Sequence, residues 1–221
     1  MIKYFSIVAV LMFSLISCSD DKKPSAQPTP IQPKDYGTQY NEDLTKIENF
    51  LKTHSITVID HAGFADDQDA SFATVPNLDS NSIWGSNTTT PKASLLFKLV
   101  NVAGVSHKVY YIKFRNGIGA SPTINNQIRT VYNGFLMNET ITSFDKSDEK
   151  GAVFTLNGLI TGWREILPEF KMGTFTGTNQ YTDFGAGVMF LPSALAYYNS
   201  DRPQIPAYST LIFTFKLYNI I

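Results

Sequence analysis

The residue types that usually carry covalent or metal chemistry are few in this chain and poorly spaced for it. His54, His61 and His107 share no metal-ligand spacing, and Cys18 is the only cysteine, so the sequence offers neither a zinc site nor an internal disulfide. Asp66, Asp67 and Asp69 gather acidity. A calcium loop would need a glycine at its sixth position and a glutamate at its twelfth, and neither falls in register, so a solvated acidic loop is expected. Gly117-Ile118-Gly119 lacks the third glycine and following helix of a phosphate cradle and reads as a turn. The informative constellation is apolar and aromatic. In order it runs Val131-Tyr132-x-Gly134-Phe135-Leu136, Ser143-Phe144-Asp145-Lys146-Ser147, Phe154-x-Leu156-x-x-Leu159-Ile160-x-Gly162-Trp163-x-Glu165, Leu191-Pro192-x-x-x-Ala196-Tyr197, and Ile205-Pro206-x-x-Ser209-Thr210-Leu211-Ile212-Phe213.

The elements that must position these side chains are mostly strands. Residues 108–114 are aromatic and β-branched and end at the turn signal Asn116-Gly117. Ile128, Thr130, Tyr132, Gly134 and Leu136 alternate with Arg129, Val131, Asn133 and Phe135, as in a strand with two distinct faces. In the last strand Leu211, Phe213, Phe215 and Leu217 point one way, and that face is expected to be core. A short helix is expected over 161–167, capped by Thr161 and closed by Pro168. Upstream, a packing helix is expected over 41–53, with Asn41 as its cap and Leu44, Ile47, Phe50 and Leu51 on one face. Signals between residues 56 and 106 are mixed, with short strand-like runs at 56–59 and 94–102 around a polar turn at 86–91. The expected class is α+β: an antiparallel β-sheet wrapped around one short helix, with an N-terminal helix and extension.

The order and spacing of the aromatic motifs resemble the FKBP family of peptidyl-prolyl cis/trans isomerases over residues 108–221. The resemblance implies an FKBP-like domain there and an extension of unknown role over 41–107. It also implies a proline pocket lined by Tyr132, Phe144, Asp145, Leu159, Ile160, Trp163, Tyr197, Ile205 and Phe213. In that reading Trp163 is the floor and the Ile160 backbone N–H binds a substrate carbonyl. Asp145 orients the rim, and the Tyr197 hydroxyl offers a second hydrogen bond. Alone, Tyr132, Trp163 or Phe213 would be read as core; Phe144-Asp145 and Tyr197 say more, because they sit in turn-rich segments. The chemistry fits such a pocket: rotation about a peptide C–N bond needs no nucleophile, metal or cofactor. The chain departs from the family pattern in four places. Tyr198 stands where glycine usually follows, expected to crowd the rim, and Ala152 stands where an aromatic is common. Residues 174–187 replace a shorter link and could cover the pocket, extend a hairpin or bind a partner. Residues 199–204 carry no recognisable family side chain.

Lys3, the apolar run over 4–16 and Leu15-Ile16-Ser17-Cys18 form a three-part export signal. The run is shorter than the roughly 20 residues of a membrane-spanning helix. Its end resembles the lipobox read by signal peptidase II, which implies a signal peptide over 1–17 and a lipid-modified Cys18 tethered to a membrane of the bacterial envelope. Residues 18–40, with Pro24, Pro28, Pro30 and Pro33, read as a semi-extended linker. Asp20-Asp21 favours the outer membrane, with periplasmic and surface-facing placements both open. The formal charge of −1 creates no field for nucleic acid, while 16 Phe, 11 Tyr and 43% apolar residues supply a sizeable core. The expected partners are proline-containing polypeptide clients and the membrane; oligomeric state is not encoded legibly. A binding module without turnover, or a component of an envelope assembly such as gliding-motility machinery docking through residues 56–106, remain alternatives to a folding isomerase.

Overall fold

The computed structural model describes residues 33–85, 94–177 and 180–221. Cys18, most of the expected linker and the turn expected at 86–91 lie outside them. In chain order the elements are α1 (Tyr36–Thr53), β1 (His54–Val58), β2 (Ala70–Thr74), β3 (Leu95–Val102), β4 (Val105–Arg115), β5 (Gln127–Leu136), β6 (Ser143–Lys146), β7 (Ala152–Thr155), α2 (Thr161–Ile166), β8 (Thr174–Gly177), β9 (Gln180–Thr182), β10 (Gly185–Leu191) and β11 (Leu211–Ile220). Seven strands form one antiparallel sheet in the order β3-β4-β10-β11-β5-β6, with β7 also paired to β5. The α+β class is as expected, with α2 packed on one face of the sheet.

Strand β10 is buried at every position, and β11 is buried over most of its length. A strand apolar on both faces needs two covers. On one side Trp163 and Ile166 of α2, followed by Leu167 and Phe170, pack onto Met189, Leu191, Leu211, Phe213, Phe215 and Leu217. On the other, Ile47, Phe50 and Leu51 of α1, with Ile56 and Val58 of β1, pack onto Ile112, Val188, Phe190 and Ile212. Burying those three α1 side chains is worth on the order of 5–9 kcal/mol, as much as the net stability of a typical domain. The last strand therefore does not have a single core face: Ile212 and Lys216 are buried as well, beneath the N-terminal layer.

The N-terminal region is thus structural to the same sheet. The boundary expected between residues 107 and 108 falls inside β4, and β3 pairs with β4 from Leu95↔Ile112 to Val102↔Val105. Lys98 of β3 donates to the Glu165 carbonyl at 2.9 Å and pairs with the Glu165 and Glu169 carboxylates at 3.3 and 3.2 Å, tying the edge strand to the end of α2. Helix α1 begins five residues earlier than expected, because Asp35 rather than Asn41 caps it, accepting from the Thr38 N–H at 3.0 Å. Its buried face includes Gln39 and Asp43 beside the apolar residues. Helix α2 is preceded by Ile160 as its cap residue, and Thr161 instead accepts from the Arg164 guanidinium at 2.8 Å. Strands β8 and β9 pair antiparallel, and Tyr181 stacks on Tyr218 at 4.7 Å.

The acidic loop is only partly solvated. Asp67 is 3% exposed in its side chain and takes two hydrogen bonds from Arg115, at 2.8 and 3.2 Å; Asp69 pairs with buried Lys216 at 2.6 Å. Burial pushes the Asp67 carboxyl up, but the Arg115 bonds, with those from the His61 N–H and Gln68, outweigh it and hold the group below its ordinary value. Its stabilising contribution is then fully present above the unfolded pKa of about 3.9 and is lost as pH falls through the lowered folded value. Asp67→Asn should cost about 2 kcal/mol at pH 7 by removing the charge that Arg115 bonds twice and leaving it only the longer contact with Asp60 at 3.6 Å. Urea melts at pH 7 and pH 3 check this: the gap between variant and parent should narrow on acidification, and an unchanged gap would contradict the assignment.

Candidate active site

Strand register gathers the aromatic residues. Along β11, Phe213 lies opposite Gly134 and Phe215 opposite Tyr132, while Gly134 on its other side faces Asp145 of β6. A Cβ on Gly134 would stand 2.7 Å from both the Phe144 ring and the Phe213 ring, so the missing side chain is what lets those rings close together. Phe144 meets Phe213 edge-on at 5.7 Å, and Trp163 meets Phe213 at 5.4 Å and Tyr132 at 5.6 Å, each near perpendicular. Edge-to-face pairs at such distances are favourable beyond their burial. The linked pairs lock the floor of a concave site.

The site is a cavity of about 520 Å³ lined by Tyr132, Asp145, Phe154, Gly158, Leu159, Ile160, Trp163, Ala196, Tyr197, Ser200, Arg202 and Phe213. Seven of the nine residues expected at the pocket line it. The other two do not line it: Ile205 is buried in the core, and Phe144, partly buried, packs edge-on against Phe213. Phe154 and Ala196 belong to the quoted motifs but carried no expected role, and Gly158 falls at an unspecified position between Leu156 and Leu159. Ser200 and Arg202 come from the loop that looked featureless, where no periodicity or turn chemistry marks a side chain as inward. Ala152 does not line the cavity, and neither do β8 and β9, whose Tyr181 packs against the other face of the sheet.

The floor is dry and the rim is polar. Trp163 is 4% exposed, set by its position on the first turn of α2. The Tyr132 hydroxyl donates to Asp145 at 2.7 Å; burial, then this bond, push the phenol well above its ordinary range, so it stays protonated and anchors the carboxylate. Burial also pushes the Tyr197 phenol up, opposed by Arg202, whose guanidinium lies 5.0 Å from the ring centre. Among the described residues nothing accepts from the Ile160 backbone N–H, and nothing bonds the Tyr197 hydroxyl. A ligand with carbonyl oxygens and an apolar ring would find two free donors above an aromatic base.

Tyr198 does not crowd this rim. It takes a left-handed backbone, φ +49°, the conformation glycine would adopt most readily, and its ring turns from the cavity to stack on Tyr36 of α1 at 4.2 Å.

No protein-family profile matches the chain. Among curated proteins, the peptidyl-prolyl cis-trans isomerase Mip of Coxiella burnetii is 30% identical over 106 residues, which are 47% of this chain and 40% of that protein. The FKBP-type 22 kDa peptidyl-prolyl cis-trans isomerase of Escherichia coli K12 is 32% identical over 124 residues, 53% of this chain and 54% of that one. The crystal structure of FkpA from Escherichia coli superposes at a TM-score of 0.44 and 27% identity, over 55% of this chain and 51% of that chain, and adds no weight. The chain spans about half or less of the length of the relatives it matches. Over the matched stretch, about half of its length, this chain is similar to FKBP-type peptidyl-prolyl isomerases.

Gly134→Ala should push Phe144 and Phe213 apart, costing about 1–3 kcal/mol as an overpacked site. Near-ultraviolet circular dichroism should lose aromatic signal in step with the unfolding midpoint. A variant with the parent's spectrum and stability would mean the rings are not held as described.

Proposed function

We propose that the cavity binds an Xaa-Pro segment of a polypeptide and catalyses its cis/trans rotation, and that the protein does so tethered through lipid-modified Cys18 in the bacterial envelope, on clients that have been exported. The observation that carries this reading is the pairing of a dry aromatic floor at Trp163 with two unbonded donors, the Ile160 N–H and the Tyr197 hydroxyl, at the rim of the same cavity. The names of the relatives point the same way. Among the described residues no helix is long and apolar enough to cross a membrane. The anchor and the outer-membrane placement rest on the sequence of the first 21 residues.

The chemistry asks little of the protein. Rotation about the C–N bond meets a barrier of about 18–20 kcal/mol because amide resonance gives that bond double-bond character. A planar amide separates more charge than a twisted one. Seating the proline ring on Trp163, Tyr132 and Phe213 withdraws the amide from water, which disfavours the planar form relative to the twisted transition state. The Ile160 N–H and the Tyr197 hydroxyl hold flanking carbonyls so that only the prolyl bond turns. No bond is made or broken. Uncatalysed rotation takes roughly 10–100 s at 25 °C, slow enough to limit folding.

Arg202 narrows the choice of client. Its guanidinium lines the cavity over Tyr197 and has no carboxylate partner among the described residues. An acidic side chain beside the proline would gain about 1 kcal/mol at contact in water, roughly a fivefold preference. A chymotrypsin-coupled assay on proline tetrapeptides tests both statements. The purified protein should accelerate isomerisation, Tyr197→Phe and Asp145→Asn should each lower kcat/KM, and Arg202→Glu should reverse the preference from acidic to basic flanks. High salt should erase it, since a Debye length of about 3 Å at 1 M screens the pair. Peptide binding without acceleration would replace the isomerase with a binding module; a preference that ignores Arg202→Glu would remove that residue from recognition.

A further inference from the structure

We propose that helix α1 is a working part of the pocket, with Asp43 and Tyr36 acting as positioning residues that place Tyr197 at the rim. This rests on the isomerase reading and extends it to a segment that the sequence left without a role.

Tyr197 sits on a short turn running from Pro192 to Tyr198, and its ring rests on the edge of the core beneath Arg202. Its hydroxyl makes no bond among the described residues, so where the turn carries that hydroxyl depends on the backbone at either side. At the upstream end, Asp43, with no exposed surface, accepts from the Ser193 N–H at 2.8 Å and the Ser193 hydroxyl at 2.6 Å on one carboxylate oxygen, and from Gln39 Nε2 at 2.7 Å on the other. A buried carboxylate is costly, and burial pushes this one up despite those donors. At the downstream end, Tyr198 is clasped. Its ring stacks on Tyr36 with the planes 6° apart and meets Tyr208 edge-on at 5.2 Å. Its hydroxyl donates to the Lys34 carbonyl, and the Lys34 N–H donates to the Tyr208 hydroxyl at 3.0 Å. Within the turn the Tyr198 N–H donates to the Ser193 carbonyl at 2.9 Å, and the Tyr208 N–H to the Tyr198 carbonyl at 2.6 Å. A tyrosine in the left-handed region persists only where its surroundings over-determine it, and here the surroundings are the start of α1. Tyr197 is thus held between two points, both fastened to the helix.

A structural role alone would lower stability and leave the chemistry of folded molecules unchanged. A positioning role makes the loss depend on Tyr197. The test is a double-mutant cycle on kcat/KM: Tyr36→Ala and Asp43→Ala, each in the parent and in a Tyr197→Phe background, with Asp43→Asn as the conservative variant that keeps an oxygen for Ser193. Each alanine variant should lose about tenfold in the parent, in line with the cost of a small misplacement, yet under about twofold once the Tyr197 hydroxyl is gone. Asp43→Asn should recover most of the Asp43→Ala loss. Equal losses in both backgrounds, or none in either, would overturn the proposal. If Asp43→Ala does not fold, the Tyr36 arm decides. If the parent shows no turnover, the isomerase reading fails on its own, and the same cycle read in proline-peptide Kd still decides whether α1 sets the rim.

Discussion

Strands β10 and β11 are buried on both faces, and the rest of the molecule follows from the need to cover them twice. The cover formed by α2 brings Trp163 against Phe213 and Phe215 and so creates the floor of the cavity. The cover formed by α1 brings Ile47, Phe50 and Leu51 against Phe190 and Ile212. Neither can be removed without exposing a sheet face to water. The same strand, β11, carries Phe213 to the pocket and Ile212 to the helix, so the functional face and the supporting face are one residue apart.

That arrangement divides the labour of the site. Aromatic rings packed edge to face give a rigid, dry base, and hydrogen-bond donors are confined to a rim made of loops. The rim needs support of its own, since loops make few contacts. It comes from outside the aromatic cluster: Lys98 of β3 fastens the end of α2, while Asp43 and Tyr36 of α1 fasten the turn that bears Tyr197. An N-terminal segment that looks like an appendage therefore belongs to the same cooperative unit as the pocket.

Much of this was legible in the sequence, for identifiable reasons. Strands β4, β5 and β11, helix α2 and the aromatic set were visible because period-two alternation, turn signals and motif spacing are local. The second buried face of β11 was not, because Ile212 and Lys216 alternate like solvent-facing positions until something distant covers them. Nothing local marks Asp43 as buried, since the partner that holds it lies 150 residues away. Tyr198 read as an obstruction because no local rule says that a tyrosine will accept a left-handed backbone in exchange for a stack on Tyr36. Arg202 lay in a loop with no pattern to read. What sequence hid at Ile212, Lys216, Asp43 and Tyr198 was a long-range partner.

The central claim is that Trp163 underlies a site that turns prolyl bonds. Two-dimensional exchange NMR on a labelled proline peptide with the purified protein tests it most directly, reading the rate and the indole N–H resonances in one sample. Cis/trans exchange should quicken, and the Trp163 indole should shift with peptide while that of Trp84, packed on Tyr110 in the other layer, stays in place. Exchange at the uncatalysed rate, or acceleration with the Trp163 resonance unmoved, would contradict it.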